Sequence, residues 1–398
     1  MKIGIIREGK VPPDYRVPLT PDHCKTIKEK YPVEIVAQRS KNRCYTDQEY
    51  HNAGIELVDN IDDCDVLMGV KEVKIKDLIA NKKYFFFSHT IKEQPYNKTL
   101  LQEILKKNIQ LIDYEVLTND AGARIIAFGK FAGMVGAHNG IMAYGKKTGS
   151  FDLKRMKDCT DYEDAKEVYK NLKLPPMRLV LTGTGRVSKG AAEVLKDMNI
   201  KQVSPEDYLN SVFTEPVFTQ ISSLEYVKKK DDSPFSKKEF YESPENFQSN
   251  FLPFQQKSDI LINGMYWNND APALFTLDDL KEDDFSIQVI ADVTCDIAPV
   301  ASVPTTIKAS TIADPLFGYD KLKQEECSWK NENAICMMTI DNLPNEMPRD
   351  ASLSFGQQFV SFVIEELLDE NSTLIERATI AKNGSLGHHF KYLSDYVS

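Results

Sequence analysis

Arg178-Leu-Val-Leu-Thr-Gly-Thr-Gly-Arg-Val-Ser-Lys-Gly190 decides the fold. It opens as an apolar strand, Arg178 to Thr182, and continues past the glycines as an amphipathic helix through Met198. Gly183 allows a tight turn, Gly185 lets a pyrophosphate approach the backbone, and amides at the helix start face the phosphates. Arg186 and Val187 open that helix. Where a dinucleotide fingerprint carries its third glycine stands Ser188, with Gly190 two places on. A small residue still fits between helix and strand, so the stretch reads as a dinucleotide-binding turn, with a bare tight turn as the alternative. In that fingerprint an acid ending the next strand takes the ribose 2′-hydroxyl of NAD. The next strand, Ile200 to Val203, ends in Ser204-Pro205-Glu206. Ser204 in place of Asp removes repulsion against a 2′-phosphate and tilts the cofactor slightly to NADP, while Glu206 keeps NAD possible.

Upstream, short apolar runs alternate with amphipathic stretches. Ile3 to Ile6, Val33 to Ala37, Asp65 to Val70, Tyr84 to Ser88 and Ile109 to Tyr114 read as strands. Pro21 to Tyr31 reads as a helix with Thr20 as its cap, and Leu100 to Lys107 as another. Such alternation implies right-handed βαβ units and a mostly parallel sheet. Gly129 to Lys147 is expected to be one long helix in which Gly133, Gly136 and Gly140 admit another backbone. Its glycines cost helix stability, so packing must offset them. Residues 228 to 258 mix Lys, Asp, Ser, Pro, Phe and Asn without period and are expected to be loops outside the core. Strands return at Asp259 to Asn263 and Ile287 to Asp292, and a helix is expected from about Asp350 to Leu368.

A length of 398 residues suggests two or three domains. A formal charge of -10 speaks against a nucleic-acid binder, although pockets carry local charge of either sign. Mean hydropathy is -0.38, and no apolar run approaches the ~18 residues of a membrane span. The apolar run near the start is too short for a signal peptide, so a cytoplasmic location is expected. The 7 cysteines are scattered without a C-x-x-C and are expected to be free thiols; no metal site is expected. Oligomeric state is not legible.

Polar groups of the N-terminal part collect at strand ends. Arg16 lies in the loop Pro12 to Pro18, Lys71-Glu72 follows one strand, and His89 follows the aromatic strand, with Gln94 just beyond. Arg124 leads into Ile-Ile-Ala-Phe128. Ligands of parallel sheets gather at the carboxyl ends of strands, so Lys71 and His89 are candidate neighbours. Singly, each has a bland reading as a solvated end or a structural hydrogen-bonding residue. Together they suit proton transfer: a lysine among cations loses basicity, and histidine titrates near neutrality.

Several segments carry a resemblance. They are Tyr84 to Lys92, Leu111 to Glu115, Arg124 to Gly129, Leu181 to Gly190, Ile262 to Trp267 and Ile340 to Pro344. Through them the chain resembles the lysine-2-oxoglutarate reductase half of the bifunctional aminoadipate-semialdehyde synthases. More distantly it is similar to lysine-forming saccharopine dehydrogenase and the alanine dehydrogenase/transhydrogenase superfamily. The resemblance implies an α/β protein of two Rossmann-like, doubly wound parallel-sheet domains with a cleft between them. Residues 1–127 with 345–398 would form the substrate domain, and 128–344 the dinucleotide domain, with an insertion near 221–258. Lys71 and His89 would be the acid/base pair. Arg16, Gln94, Arg124 and Phe128 would contact substrate. Gly183, Gly185, Arg186, Val187, Ser204 and the Ile340, Asp341, Asn342, Leu343 stretch would contact the cofactor, with Asp292 to Asp296 approaching the cleft. The implied ligands are lysine, 2-oxoglutarate and saccharopine. An alanine-dehydrogenase-like enzyme and a non-catalytic nucleotide-sensing protein are the alternatives.

Overall fold

In a computed structural model that describes residues 1–398, the chain divides into two units, Met1–Phe128 with Pro348–Ser398, and Gly129–Met347. The first begins with six parallel strands, β1 (Lys2–Ile5), β2 (Glu34–Gln38), β3 (Glu56–Val58), β4 (Val66–Met68), β5 (Lys83–Phe86) and β6 (Gln110–Asp113). Helices α1 (Pro21–Lys30), α2 (Asp47–Asn52) and α3 (Pro95–Lys106) connect them. Thr20 and Thr46 start α1 and α2 with capping boxes, closed by His23 and Glu49. β1 lies between β2 and β4. The chain runs outward from β1 to β3, then returns to β4 on the other side, which puts the switch point of this sheet at β1 and β4.

The second unit contains α4 (Gly129–Thr148), α5 (Tyr162–Tyr169), β7 (Arg178–Thr182), α6 (Arg186–Asp197), β8 (Lys201–Val203), α7 (Pro205–Asn210) and β9 (Val217–Ile221). There follow α8 (Ser223–Tyr226), β10 (Val227–Lys229), α9 (Lys237–Glu242), β11 (Phe247–Ser249) and α10 (Leu252–Gln255). Strands β12 (Ile260–Asn263), β13 (Val289–Asp292), β14 (Phe317–Asp320), β15 (Glu325–Cys327) and β16 (Ala334–Met338) complete it. The sheet order is β15-β14-β16-β13-β12-β7-β9-β8, antiparallel only at β14 and β15. Helix α4 is unbroken despite its glycines because close neighbours fill their place, the α6 backbone at Gly133, Val293 at Gly136 and Ala291 at Gly140. A Cβ on Gly133 would overlap the Val187 carbonyl, and one on Gly190 the Lys130 carbonyl. The 228–258 stretch departs from expectation. Its hairpin of β10 and β11 and its short helices bury Phe240, Phe247, Phe251 and Phe254 in the core of this unit. Four aromatics anchor a segment whose polar residues hid any period.

The chain then returns to the first unit with α11 (Pro348–Phe362), β17 (Thr379–Lys382) and β18 (Ser385–Leu386), and β17 pairs antiparallel with β6. The expected 350–368 helix breaks at Val363, whose φ of -122° leaves the helical range. The boundary falls after Met347 rather than 344 because the turn Leu343–Glu346 stays in the second unit, where Arg155 pairs with Glu346. No helix is long and apolar enough to cross a membrane.

Candidate active site

The loops leaving β1, β4, β5 and β6 build the site of the first unit. Glu8, beyond β1, reaches across the switch point and accepts the amides of Val70 at 2.5 Å and Lys71 at 3.1 Å. Burial pushes this carboxyl up to about 8, even against those two bonds. Lys71 is pushed down to about 8, by burial first and then by the charges of Arg16 and Lys10. Next to it, Glu72 Oε1 lies 2.5 Å from His89 Nδ1, and Glu72 Oε2 lies 3.4 Å from the Lys10 ammonium. Burial raises the Glu72 carboxyl, but the His89 bond and charge, then Lys10, outweigh it and hold it at about 2. A carboxylate can only accept, so Nδ1 carries the shared proton and Nε2 is the ring nitrogen left for another partner.

Arg16 is 3% exposed, and its guanidinium lies 4.3 Å from the centroid of the Phe128 ring. Its Nε and Nη2 donate to Asp14 at 3.0 Å and 2.6 Å. Phe128 stacks on Phe355 at 4.5 Å and meets Phe87 at 5.9 Å, and Phe87 stacks on His89 at 6.4 Å. An aromatic row thus joins Arg16 to His89. Arg124 donates to Glu115 at 2.9 Å, and Glu115 lies 3.5 Å from Lys92, in the turn just after His89. Gln94 precedes α3; its side-chain oxygen accepts the Tyr96 hydroxyl, and its carbonyl that of Tyr396 at 2.5 Å. Arg16, Phe128 and His89 are thus linked through side chains, whereas Lys71 joins them through the neighbouring Glu72, Arg124 reaches Lys92 through Glu115, and Gln94 contacts Tyr96 and Tyr396. Each arginine has an acidic partner, Asp14 for Arg16 and Glu115 for Arg124. Sequence reasoning passed over Glu8, Asp14, Glu72 and Glu115. The only signal of Glu8, Glu72 and Glu115 was position, an acid within a few residues of a strand end, and Asp14 lay farther along the loop after β1.

In the second unit, Gly183 has φ +88°, and a Cβ there would lie 2.7 Å from Met265 Cα, so only glycine serves. Gly185 caps α6, and nothing lies within 4 Å of the position its Cβ would take. Ser188 Oγ lies 2.9 Å from the Thr182 carbonyl and 3.0 Å from that of Gly264, clamping strand ends where a glycine would merely fit. Gly190 makes the close helix approach instead. Beside this turn Val187, Met265, Trp267 and Asp296 line a cavity of about 240 Å³. Arg186 opens α6. After β16, Ile340 and Leu343 are buried, leaving Asp341 and Asn342 as the polar groups of that stretch.

One expectation needs correction. Ser204 does not end the strand beside the glycine turn. β8 is the sheet edge and β9 lies between it and β7, because the chain crosses to the edge before filling the inner place. Gly183 N–H donates to Ile221 O at 2.7 Å, and Gln220 Nε2 to Gly183 O at 2.9 Å, so Ser222 to Glu225 follow the neighbouring strand. Ser204 instead caps α7 through the Asp207 amide at 3.0 Å. Asp292, the first residue of the stretch expected to approach the cleft, ends β13. It is fully buried, accepting from Asn263 at 2.9 Å, Thr294 at 2.7 Å and Thr306 at 2.7 Å. Burial raises its carboxyl, and the network ties the ends of β12 and β13 together.

Residues 4–135 match the family described as alanine dehydrogenase/PNT, N-terminal domain. The chain is 30% identical to the mitochondrial alpha-aminoadipic semialdehyde synthase of Mus musculus, over 95% of its own length and 46% of the other's. It is 30% identical to the synthase of Arabidopsis thaliana, over 98% and 41%. The chain thus spans about half the length of those relatives. It is 24% identical to the saccharopine dehydrogenase [NAD(+), L-lysine-forming] of Emericella nidulans, over 95% of both. In fold it matches an L-alanine dehydrogenase with a TM-score of 0.69 at 15% identity over 100% of both chains. A transhydrogenase from Sinorhizobium meliloti follows, with a TM-score of 0.56 at 12% identity, covering 97% and 98%.

Proposed function

We propose a reaction for a chain that belongs to the alanine dehydrogenase/PNT family, with homologues among aminoadipic semialdehyde synthases and lysine-forming saccharopine dehydrogenases. It is a pyridine-nucleotide-dependent oxidoreductase acting on a CH–NH bond. It condenses L-lysine with 2-oxoglutarate and reduces the imine to saccharopine, or runs the reverse oxidation. The observation that carries this is the chain-adjacent pair of Lys71, with its lowered basicity, and Glu72, whose carboxylate orients His89.

The lysine ε-amine must lose a proton before it attacks the ketone, and Lys71 titrates low enough to accept it near neutral pH. The carbinolamine oxygen must gain a proton to leave as water, and His89 is the donor. His89 Nε2 takes that proton from the amine nitrogen as the C–N bond forms, and Glu72, holding Nδ1–H, stabilises the ring while it carries both protons. Arg16 and Arg124 hold substrate carboxylates, and Phe128 fixes the plane of Arg16. The positive φ of Gly183 and the open space at Gly185 fit a dinucleotide pyrophosphate at the start of α6. A nicotinamide bound there supplies or takes the hydride. At the end of β9, Glu225 receives the Ser222 amide and hydroxyl, both at 2.7 Å. An acid in this place accepts the ribose 2′-hydroxyl and repels a 2′-phosphate, which favours NAD over NADP.

Oxidation of NADH and NADPH with lysine plus 2-oxoglutarate, set against pyruvate plus ammonium, tests the reading. Turnover with the first pair supports it. Turnover with only the second makes the chain an alanine-dehydrogenase-like enzyme, and cofactor binding without any turnover makes it a nucleotide sensor.

A further inference from the structure

His89 stands on backbone that its residue type seldom adopts. Its φ of +54° and ψ of 13° put it in the left-handed region, which costs a side chain without a special reason energy to hold. It follows β5 and precedes a single turn, Thr90–Lys92, so no strand or long helix holds it there. The restraint comes from the residues on either side. Ser88 and Thr90 are fully buried, and so is Asp113 at the end of β6. Asp113 Oδ2 accepts the Ser88 amide at 2.8 Å and the Ser88 hydroxyl at 2.5 Å. With its own proton given to Asp113, Ser88 Oγ accepts the Thr90 hydroxyl at 2.8 Å and the Thr90 amide at 3.3 Å. The other oxygen, Oδ1, accepts the Glu115 amide at 2.7 Å and so starts the turn Tyr114–Val116, whose Glu115 pairs with Arg124. Both oxygens of one buried carboxylate are thus taken by the two loops that carry His89 and Glu115.

We propose that Asp113 is a positioning residue of the acid/base site: through Ser88 and Thr90 it holds His89 in the left-handed conformation from which Nδ1 reaches Glu72. The position calls for a carboxylate. An amide accepts on one side only and sets a donor against a donor on the other, so it serves one of the two loops and releases the second. Without the Ser88 bridge the backbone at His89 relaxes toward negative φ, and the imidazole leaves the Glu72 carboxylate. The effect on turnover rests on the reaction proposed above, whereas the effect on the ring does not.

Ser88→Ala removes the bridge with the least change of volume. In the full chain it is expected to lower kcat at least about tenfold and to leave KM for lysine and 2-oxoglutarate within about twofold, because a misplaced proton-transfer group costs rate rather than ground-state binding. Asp113→Asn should lose at least as much. NMR of the imidazole nitrogens, with His89 assigned by its absence in His89→Gln, reads the ring directly. In the uncharged ring of the native chain one tautomer is expected, protonated on Nδ1, and in Ser88→Ala a mixture of both. Thr90→Val should show a smaller loss of kcat than Ser88→Ala, and Thr90→Ser should match the native chain, which separates the hydroxyl from packing. An unchanged tautomer in Ser88→Ala overturns the proposal, as does an equal fall in kcat for Thr90→Val and Thr90→Ser. A tautomer mixture in Ser88→Ala, in a chain without turnover, upholds the positioning role while the proposed reaction falls.

Discussion

At Lys71 an ammonium that ordinarily titrates at 10.5 is brought to about 8, by burial before any neighbouring charge. Its folded pKa lies below its unfolded one, so the fold disfavours the charged form. The stability in question is complete above the unfolded value, is lost as pH falls from 10.5 toward 8, and stays lost below. The deficit at pH 7 is on the order of 3 kcal/mol. Lys71→Met is therefore expected to gain up to about that much in urea unfolding at pH 7 and almost nothing at pH 11. Its turnover should fall roughly 10²–10⁴-fold, with cofactor affinity little changed. No pH dependence in the stability gain would show that the amine is not perturbed. Glu72→Gln tests the other partner. Removing the carboxylate that fixes Nδ1 is expected to lower kcat at least about tenfold and leave the cofactor Kd unchanged, with Glu72→Asp intermediate. Equal loss in kcat and cofactor affinity would make Glu72 a structural residue.

Elements forbid what single residues would tolerate. Gly133→Ala must push α4 away from α6, since the added carbon meets the Val187 carbonyl rather than a movable side chain. The expected cost is about 3 kcal/mol or more, with loss of dinucleotide binding because α6 carries the glycine turn. Gly149 has φ +67° with nothing near its missing Cβ, so Gly149→Ala should cost only about 1 kcal/mol. Denaturant midpoints of the two variants provide the comparison. Local signals were legible: the Thr20 cap of α1 and the bounds of β7 follow from adjacent residues. Three-residue β3, with no face fully buried, showed no period to find. The role of Glu72 was hidden because an acid after a strand looks solvated until His89 is seen 2.5 Å away. Strand order is not a local property at all, so Ser204 was placed where Ser222 to Glu225 belong. Glu225→Gln should accordingly shift the NADH to NADPH preference by about tenfold, the worth of one hydrogen bond to a charged group, whereas Ser204→Asp should shift it little. The reverse result would return the ribose to β8.

At the scale of the whole molecule, one unit is a single stretch of chain and the other is closed by a segment that arrives last. Gly129–Met347 contains the glycine turn and all ten strands from β7 to β16. Met1–Phe128 contains Lys71, Glu72 and His89, but its core is completed by α11 and β17. Phe355 meets Tyr114 edge-on at 4.9 Å and stacks on Phe128, and Phe359 meets Phe85 at 5.8 Å. β17 covers the otherwise open edge of β6, whose residues are all buried. A chain ending at Met347 would expose that edge and deprive four aromatics, Phe85, Phe87, Tyr114 and Phe128, of a ring partner, an arrangement prone to pairing with other chains. Such a chain is expected to bind dinucleotide within about threefold of the full protein, since one hydrogen-bonded turn and its sheet are intact. It should have no turnover, and limited proteolysis should cut first within residues 1–128. Supplying residues 348–398 as a separate peptide should recover part of the turnover, because the missing contacts are side-chain packing and strand pairing rather than covalent continuity. Full turnover by the shortened chain would mean that the acid/base set holds its geometry without Phe355 behind Phe128, and that the aromatic row joining Arg16 to His89 has no part in placing them.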